Sequence, residues 1–147
     1  MDFVFKLEAL RRYRVFLEEQ SQKEFAVARQ MIEQEQGVLA DLVARRDQTE
    51  LEFRQQESGG GSAGMVAMYR GYMQRLAQRI EAQRDRVAQA QDACEKQRQA
   101  LMERMQQRKT LDQLKEKGAQ DFVARRNREE EKFINEMAIN RFSMKQQ

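Results

Sequence analysis

Hydrophobic residues recur at alternating steps of three and four along the first third of the chain. This spacing predicts an α-helix over residues of about 3–57, because side chains three and four apart share one face of a helix. Polar residues interrupt the face at Glu35, Arg46 and Thr49. We therefore expect a coiled-coil seam, which is narrower and more polar than the buried face of a helix in a globular core. The apolar seam residues are Leu7, Leu10, Leu17, Phe25, Ala28, Ile32, Leu39, Leu42 and Phe53.

A second and longer pattern of the same kind predicts a helix over residues of about 65–144. It keeps its phase over several heptads, which is typical of a coiled coil. Beyond Leu101 the spacing is looser and Gly118 interrupts it, so we expect the helix to continue with a bend at that glycine. The positions in phase are Tyr69, Met73, Leu76, Ile80, Gln83, Val87, Ala90, Cys94, Gln97 and Leu101.

Four of the seven glycines, Gly59, Gly60, Gly61 and Gly64, lie close together between the two patterns. Glycine adopts the backbone angles of tight turns without steric cost, so residues 58–64 are predicted to form a turn. The fold class expected is all-α, with two long helices packed as an antiparallel coiled-coil hairpin. One domain over residues 1–147 is expected.

Folding the chain near Gly61 pairs residues whose numbers add up to roughly 123. Apolar residues then face one another across the seam. The predicted pairs are Phe53 with Tyr69, Leu42 with Ile80, Ile32 with Ala90, Leu17 with Met105, Leu10 with Leu111 and Leu114, and Phe3 with Phe122. The second helix is longer, so residues from about Gln120 onward overhang without a partner in the chain. Their apolar side chains, Phe122, Phe133, Ile134, Met137, Ile139 and Phe142, are expected to be covered by another molecule.

The composition supports long helices, since the chain contains no Pro or Trp and 35% of its residues are charged. The net charge of +3 comes from 27 basic and 24 acidic residues that are interspersed, so nucleic acid is not an expected partner. The single cysteine, Cys94, fits a reducing cytoplasm. We expect a soluble protein, because neither a signal peptide nor a run of roughly 18 apolar residues is found.

Catalytic chemistry is not expected from this sequence. It contains no His, no glycine-rich phosphate loop and no nucleophile beside a base, so catalytic residues, cofactors and metal sites are all predicted to be absent. Glu129, Glu130 and Glu131 are adjacent and therefore point to different sides of a helix, as expected for a solvated surface. For Tyr72, and for the basic run Arg125, Arg126 and Arg128, both simple surface or packing roles and partner contact remain open.

Both ends of the chain resemble the bacterial flagellar export protein FliJ family. At the start the resemblance is carried by FVFKLEALRRYRVFLEEQ, residues 3–20, and near the end by RKTLDQLKEK, residues 108–117, and REEEKFINEMAINRF, residues 128–142. The resemblance extends over nearly the whole length. It implies a helical hairpin without enzymatic activity that belongs to the flagellar type III export apparatus.

The resemblance also implies partners. The family inserts the terminal halves of its helices into the hexameric export ATPase, promotes assembly and activity of that ring, and contacts the cytoplasmic domain of the export gate; contact with export chaperones is implied without an assignable residue. The protein is then expected in the cytoplasm, at the cytoplasmic face of the inner membrane through the apparatus and without membrane insertion. The residues implied for ATPase binding are Leu7, Leu10, Arg14, Lys109, Leu114, Lys115, Lys117, Lys132, Phe133 and Glu136. Those implied for gate binding, in a YRGYMQRLAQRI segment similar to the family's gate-binding region, are Tyr69, Tyr72, Leu76 and Gln83.

Two other functions fit the same pattern. One is the corresponding stalk protein of a virulence type III secretion system, since the same hairpin would serve it. The other is a structural coiled coil that self-associates through the overhanging helix.

Overall fold

Two α-helices joined by a short turn make up the computed structural model, which describes residues 1–146. Helix α1 spans Glu8–Glu57 and helix α2 spans Ala63–Lys145, with 50 and 83 residues respectively. The predicted all-α class and the longer second helix are confirmed. In the described chain, neither helix contains a segment that is long and apolar enough to span a membrane.

The residues pack as two compact units. We call Gln20–Met102 the turn unit, and residues 1–19 together with the described residues from Glu103 onward the terminal unit. In each unit a segment of α1 packs antiparallel against a segment of α2, as the hairpin prediction required. The single domain expected over residues 1–147 stays a prediction.

The turn occupies residues 58–62 and is two residues shorter than predicted. Gly60 has a positive φ of 88°, a conformation that favours glycine. The Ser62 hydroxyl accepts a hydrogen bond from the Met65 amide at 3.2 Å, so it caps α2. This cap explains why α2 begins at Ala63 and takes in Gly64.

The start of α1 also differs from the prediction. Residues 3–7 were expected to be helical, but α1 begins at Glu8. The Phe3 ring instead lies against α2, with its centroid 5.9 Å from that of Phe122. Its Cζ atom would be 3.0 Å from a Cβ atom at Gly118, so the glycine makes room for the ring. The predicted pair of Phe3 and Phe122 is confirmed, and α2 continues through Gly118.

An apolar seam holds the turn unit together. On α2 the residues at heptad spacing are buried, and Leu76 is only 2% exposed. Next to the turn, the rings of Phe53 and Tyr69 are stacked, with centroids 3.7 Å apart and an angle of 6° between their planes. The predicted pair of Phe53 with Tyr69 is therefore confirmed. The other buried apolar residues of α2 are Ile80, Val87, Ala90 and Cys94.

The terminal unit has a different seam. Leu111 is its buried hydrophobic residue among those described, whereas Glu18 on α1 is buried and polar. The remaining pairs of the predicted register, Leu42 with Ile80, Ile32 with Ala90, Leu17 with Met105 and Leu10 with Leu111 and Leu114, stay predictions.

We expect Leu76→Ala to lower the free energy of unfolding by about 2–4 kcal/mol, because it removes a fully buried side chain and leaves a cavity. Urea unfolding followed by circular dichroism measures this difference. The matched control is Met68→Ala, which truncates a side chain that is 78% exposed on the same helix and should change stability by less than about 0.5 kcal/mol. Equal effects of the two substitutions would contradict the seam described here.

Candidate partner-binding surfaces

The four residues implied for gate binding all lie in the turn unit, but the structure places them in different surroundings. Tyr69 and Tyr72 are half-buried, and Tyr69 is stacked on Phe53. Leu76 and Gln83 are 2% and 5% exposed, because they form part of the seam between the helices. In this conformation Tyr72 has surface to offer a partner, whereas Leu76 and Gln83 support the helix pair from inside.

Gln83 is buried but satisfied. Its side-chain amide donates a hydrogen bond of 2.9 Å to the backbone carbonyl of Glu35, and it also bonds the Glu35 side chain. Both residues occupy polar positions of the predicted seam, and the structure brings them together. A polar pair inside a coiled coil specifies register.

Beside the turn, one side of α2 forms a largely exposed stripe, and the two methionines in it were not among the residues assigned from the sequence. Met65 and Met68 are exposed, and Tyr72, Arg75 and Arg79 follow them on the same side of α2 at steps of three and four. Residues 58–80 contain no acidic side chain, while they include Arg70, Arg75 and Arg79. This side of the turn unit therefore suits an acidic partner surface with an apolar socket.

The ten residues implied for ATPase binding all lie in the terminal unit. Two of them already have partners within the unit. Arg14 donates a hydrogen bond of 2.7 Å to the side-chain amide oxygen of Gln107. The Lys115 ammonium lies 3.0 Å from a carboxylate oxygen of Glu8. The others are exposed and available for contact, namely Leu7, Leu10, Lys109, Leu114, Lys117, Lys132, Phe133 and Glu136.

The part of α2 that follows Phe122, which we call the overhang, is exposed throughout residues 123–146. Phe133, for example, is 62% exposed. At about 100° per residue, Phe133 and Met137 share one side of the helix, whereas Phe142 and Ile139 point to other sides. A partner that covered a single face would leave part of this apolar surface in water. The exposed large apolar residues are Val123, Phe133, Ile134, Met137, Ile139, Phe142 and Met144.

A chain of ion pairs crosses between the helices in the terminal unit. Glu8 binds Lys115, and Arg11 lies between Glu8 and Asp112, at 3.2 Å and 3.0 Å. Arg108 then donates to Asp112 at 2.7 Å and to the buried Glu18 through two of its nitrogens. We call these six residues, Glu8, Arg11, Glu18, Arg108, Asp112 and Lys115, the ionic network.

The network shifts the pKa of two of its members, Glu8 and Arg108. The hydrogen bond from Lys115 lowers the pKa of Glu8 below its ordinary value of 4.5; partial burial opposes this shift, and the charges of Lys115, Arg11 and Arg12 favour it. Hydrogen bonds to Glu18 and Asp112 raise the pKa of Arg108.

Sequence reasoning missed this network because it followed apolar positions only. Two signals were present: Arg108 and Asp112 are four residues apart on one helix face, and Arg11 and Asp112 satisfy the register in which residue numbers add up to roughly 123. Within residues 1–146, no cluster of His, Cys, Asp and Glu has an arrangement that could hold a metal ion.

We expect Glu8→Gln to lower the melting temperature at neutral pH. A carboxylate whose pKa is lowered by folding stabilises the protein above its unfolded pKa, and this contribution is lost as the pH falls through the folded value. The difference between the wild type and the variant should therefore be complete above pH 4.5 and should vanish at lower pH. Thermal unfolding across the acid range measures it, with the exposed Glu24→Gln as control. A difference that persists or grows in strong acid would refute the assignment.

The helical pair and its long second helix can be compared with known proteins. No curated protein matches the sequence. Among solved structures, the chain is similar to that of a putative YscO homologue, CT670, from Chlamydia trachomatis, with a TM-score of 0.60 and 18% sequence identity. The match covers 99% of this chain and 100% of that one, so the two share a fold. The flagellar FliJ protein family matches residues 3–147. Because this match includes nearly the whole sequence, the chain belongs to the flagellar FliJ protein family.

Proposed function

We propose that this protein is a non-enzymatic component of the flagellar type III protein export apparatus. In this proposal it binds the hexameric export ATPase as a central stalk, promotes assembly and activity of the ring, and links the ring to the export gate. It acts in the cytoplasm, at the inner face of the inner membrane, through the other components. Contact with export chaperones belongs to the same proposal, without an assigned surface. Membership of the FliJ family supports the assignment to the export apparatus.

The observation that carries the stalk role is the overhang. Its apolar residues point to more than one side of a helix that has no covering in the described chain. A helix that is apolar on several sides is normally surrounded by protein. The central opening of a ring surrounds a helix in this way, whereas a flat surface or a single groove covers one face. The basic side chains Arg125, Arg126 and Arg128 at the start of the overhang would favour an opening with acidic groups.

Ring assembly follows from the same contact. A stalk that touches several subunits at once binds the assembled ring and not the separate subunits, so binding shifts the equilibrium toward the ring. ATPase activity that depends on neighbouring subunits then rises, although the stalk itself contributes no catalytic group.

The exposed stripe beside the turn supports the link to the gate. Tyr72 is the gate candidate whose side chain combines surface exposure with a position between Met68 and Arg75 on that stripe. An aromatic ring beside an arginine is a common anchor at protein interfaces.

A second candidate function is the corresponding role in a virulence type III secretion system. The shared fold with the putative YscO homologue favours it, because the same helical pair would serve either apparatus. Reconstitution with the flagellar ATPase and with its virulence counterpart separates the two functions.

The overhang is tested with the double substitution Phe133→Ser and Met137→Ser in the full chain. We expect affinity for the purified export ATPase to fall at least tenfold, and stimulation of ATPase turnover to be lost, because two exposed apolar anchors are removed. The matched control is Leu51→Ser, which changes an exposed apolar residue of the turn unit and should leave both measurements unchanged. Circular dichroism establishes that helicity is retained.

Unchanged ATPase affinity in the overhang variant would contradict the stalk proposal. If the variant instead dissociated an oligomer of the chain in sedimentation experiments, without any effect on the ATPase, the self-associating coiled coil would replace it.

The gate contact is tested with Tyr72→Ala. We expect roughly tenfold weaker binding to the purified cytoplasmic domain of the export gate, with ATPase binding unchanged. Tyr13→Ala, which removes an exposed tyrosine of the terminal unit, is the control and should affect gate binding little. Equal effects of the two substitutions on gate binding would refute the assignment of Tyr72.

A further inference from the structure

The first part of α1, residues 8–18, is attached to α2 in an unusual way for a coiled coil. We call it the arm. Three of its large apolar side chains, Leu10, Tyr13 and Phe16, are exposed and do not contribute a buried core. Among the described residues of the terminal unit, Leu111 is the hydrophobic side chain that is buried under the arm. The other large apolar side chains of the arm, Val15 and Leu17, are half-buried, so the arm gains less hydrophobic stabilisation than the turn unit does from its buried seam.

Ion pairs supply the contacts that an apolar core would otherwise make. The ionic network connects both ends of the arm to α2, through Glu8 and Lys115 at one end and Glu18 and Arg108 at the other. Between these two ends, Arg11 of the arm lies 3.0 Å from Asp112 of α2. Ion pairs depend on the direction of approach of the two groups. Their net contribution to stability is small when water can replace either partner.

The turn unit is held differently. Leu76, Ile80, Val87, Ala90 and Cys94 are all buried in its seam. Separation of the two helices in the turn unit would expose these side chains to water. This costs free energy at any ionic strength.

The arm covers a face of α2 that continues beyond it. Phe122 and Phe133 are separated by about three full helical turns, so they lie on the same side of the helix, and Leu111 lies close to the same line. Phe3 covers Phe122, so separation of the arm together with the residues before it would extend the uncovered apolar face from the overhang back to Leu111.

We propose that the ionic network is a releasable clasp, which allows the arm to separate from α2 while the seam of the turn unit stays closed. Opening uncovers Leu111 and lengthens the face of α2 that a partner can contact. A partner with competing charges, or high ionic strength, releases the clasp because ion pairs make the contacts at both ends of the arm and few apolar side chains are fully buried between them. This property belongs to the chain alone and does not depend on the identity of the partner.

Thiol labelling of the full chain tests the clasp. In a Leu111→Cys background, the introduced thiol reports opening of the arm, and the native buried Cys94 reports opening of the turn unit in the same molecule. Modification by a maleimide is followed at each site by mass spectrometry of peptides. We expect Arg108→Gln to accelerate labelling of the introduced thiol by roughly tenfold or more, since it leaves Glu18 buried without its cation, while labelling of Cys94 is unchanged. High salt should act in the same direction, and Arg108→Lys, which keeps the charge, should have an intermediate effect.

The matched control is Glu95→Gln. It removes an ion pair with Arg98 that lies within α2 and does not connect the two helices, so it should leave labelling of the introduced thiol unchanged. Amide hydrogen exchange of residues 104–118 in Arg108→Gln, without the introduced cysteine, gives a second measurement that is independent of Leu111→Cys and should show the same acceleration.

Three results would overturn the proposal. Labelling at the introduced thiol that is insensitive to both Arg108→Gln and salt would mean that the ionic network does not control the arm. Equal acceleration at Cys94 would mean that the helices separate along their whole length at once. An effect of Glu95→Gln as large as that of Arg108→Gln would assign the change to α2 itself and not to contacts between the helices.

Discussion

Each helix in this structure packs against a single neighbour, and this limits where apolar side chains can be buried. A helix in a globular domain can bury several sides, but in a two-helix pair each helix has one seam and the remaining surface faces solvent. The apolar residues that stabilise the pair must therefore repeat at steps of three and four along one line. Side chains such as Leu76 and Ile80 satisfy this requirement and are buried. Function is then left to the outer surfaces and to any helix that extends beyond its partner.

The turn unit and the terminal unit are held by different kinds of contact, and these kinds stabilise the helix pair under different conditions. In the turn unit, buried aliphatic side chains and the stacked rings of Phe53 and Tyr69 provide contacts that salt does not weaken. In the terminal unit, the buried Glu18 is satisfied by Arg108, and the energy of such a pair depends on how well both charges are desolvated and matched. A protein that must hold one part of its structure firmly and open another can use this difference, because the two kinds of contact respond to different conditions.

The overhang and the stripe beside the turn both expose large apolar side chains to solvent. Phe133, Phe142 and Met144 remain in contact with water in the described chain, an arrangement that a stable complex would remove. Met68 and Tyr72 form a smaller apolar surface. The charged residues next to it on α2 are arginines. Two such surfaces on the described residues are what the proposed connecting role would require. Membership of the FliJ family gives that role its setting in protein export.

The helix pair, its antiparallel direction and its approximate register could be predicted from the sequence, because period and turn composition are local properties of the chain. The pairs of Phe53 with Tyr69 and of Phe3 with Phe122 followed from those properties. The heptad pattern already assigned Leu76 and Gln83 to the seam, where both are buried. The network joining Glu18, Arg108 and Asp112 was not foreseen. The packing of the helices established this network. The approximate register makes Arg11 and Asp112 neighbours, but it does not select Arg108 as the partner of the buried Glu18, because ion pairing depends on which side chains meet across the seam.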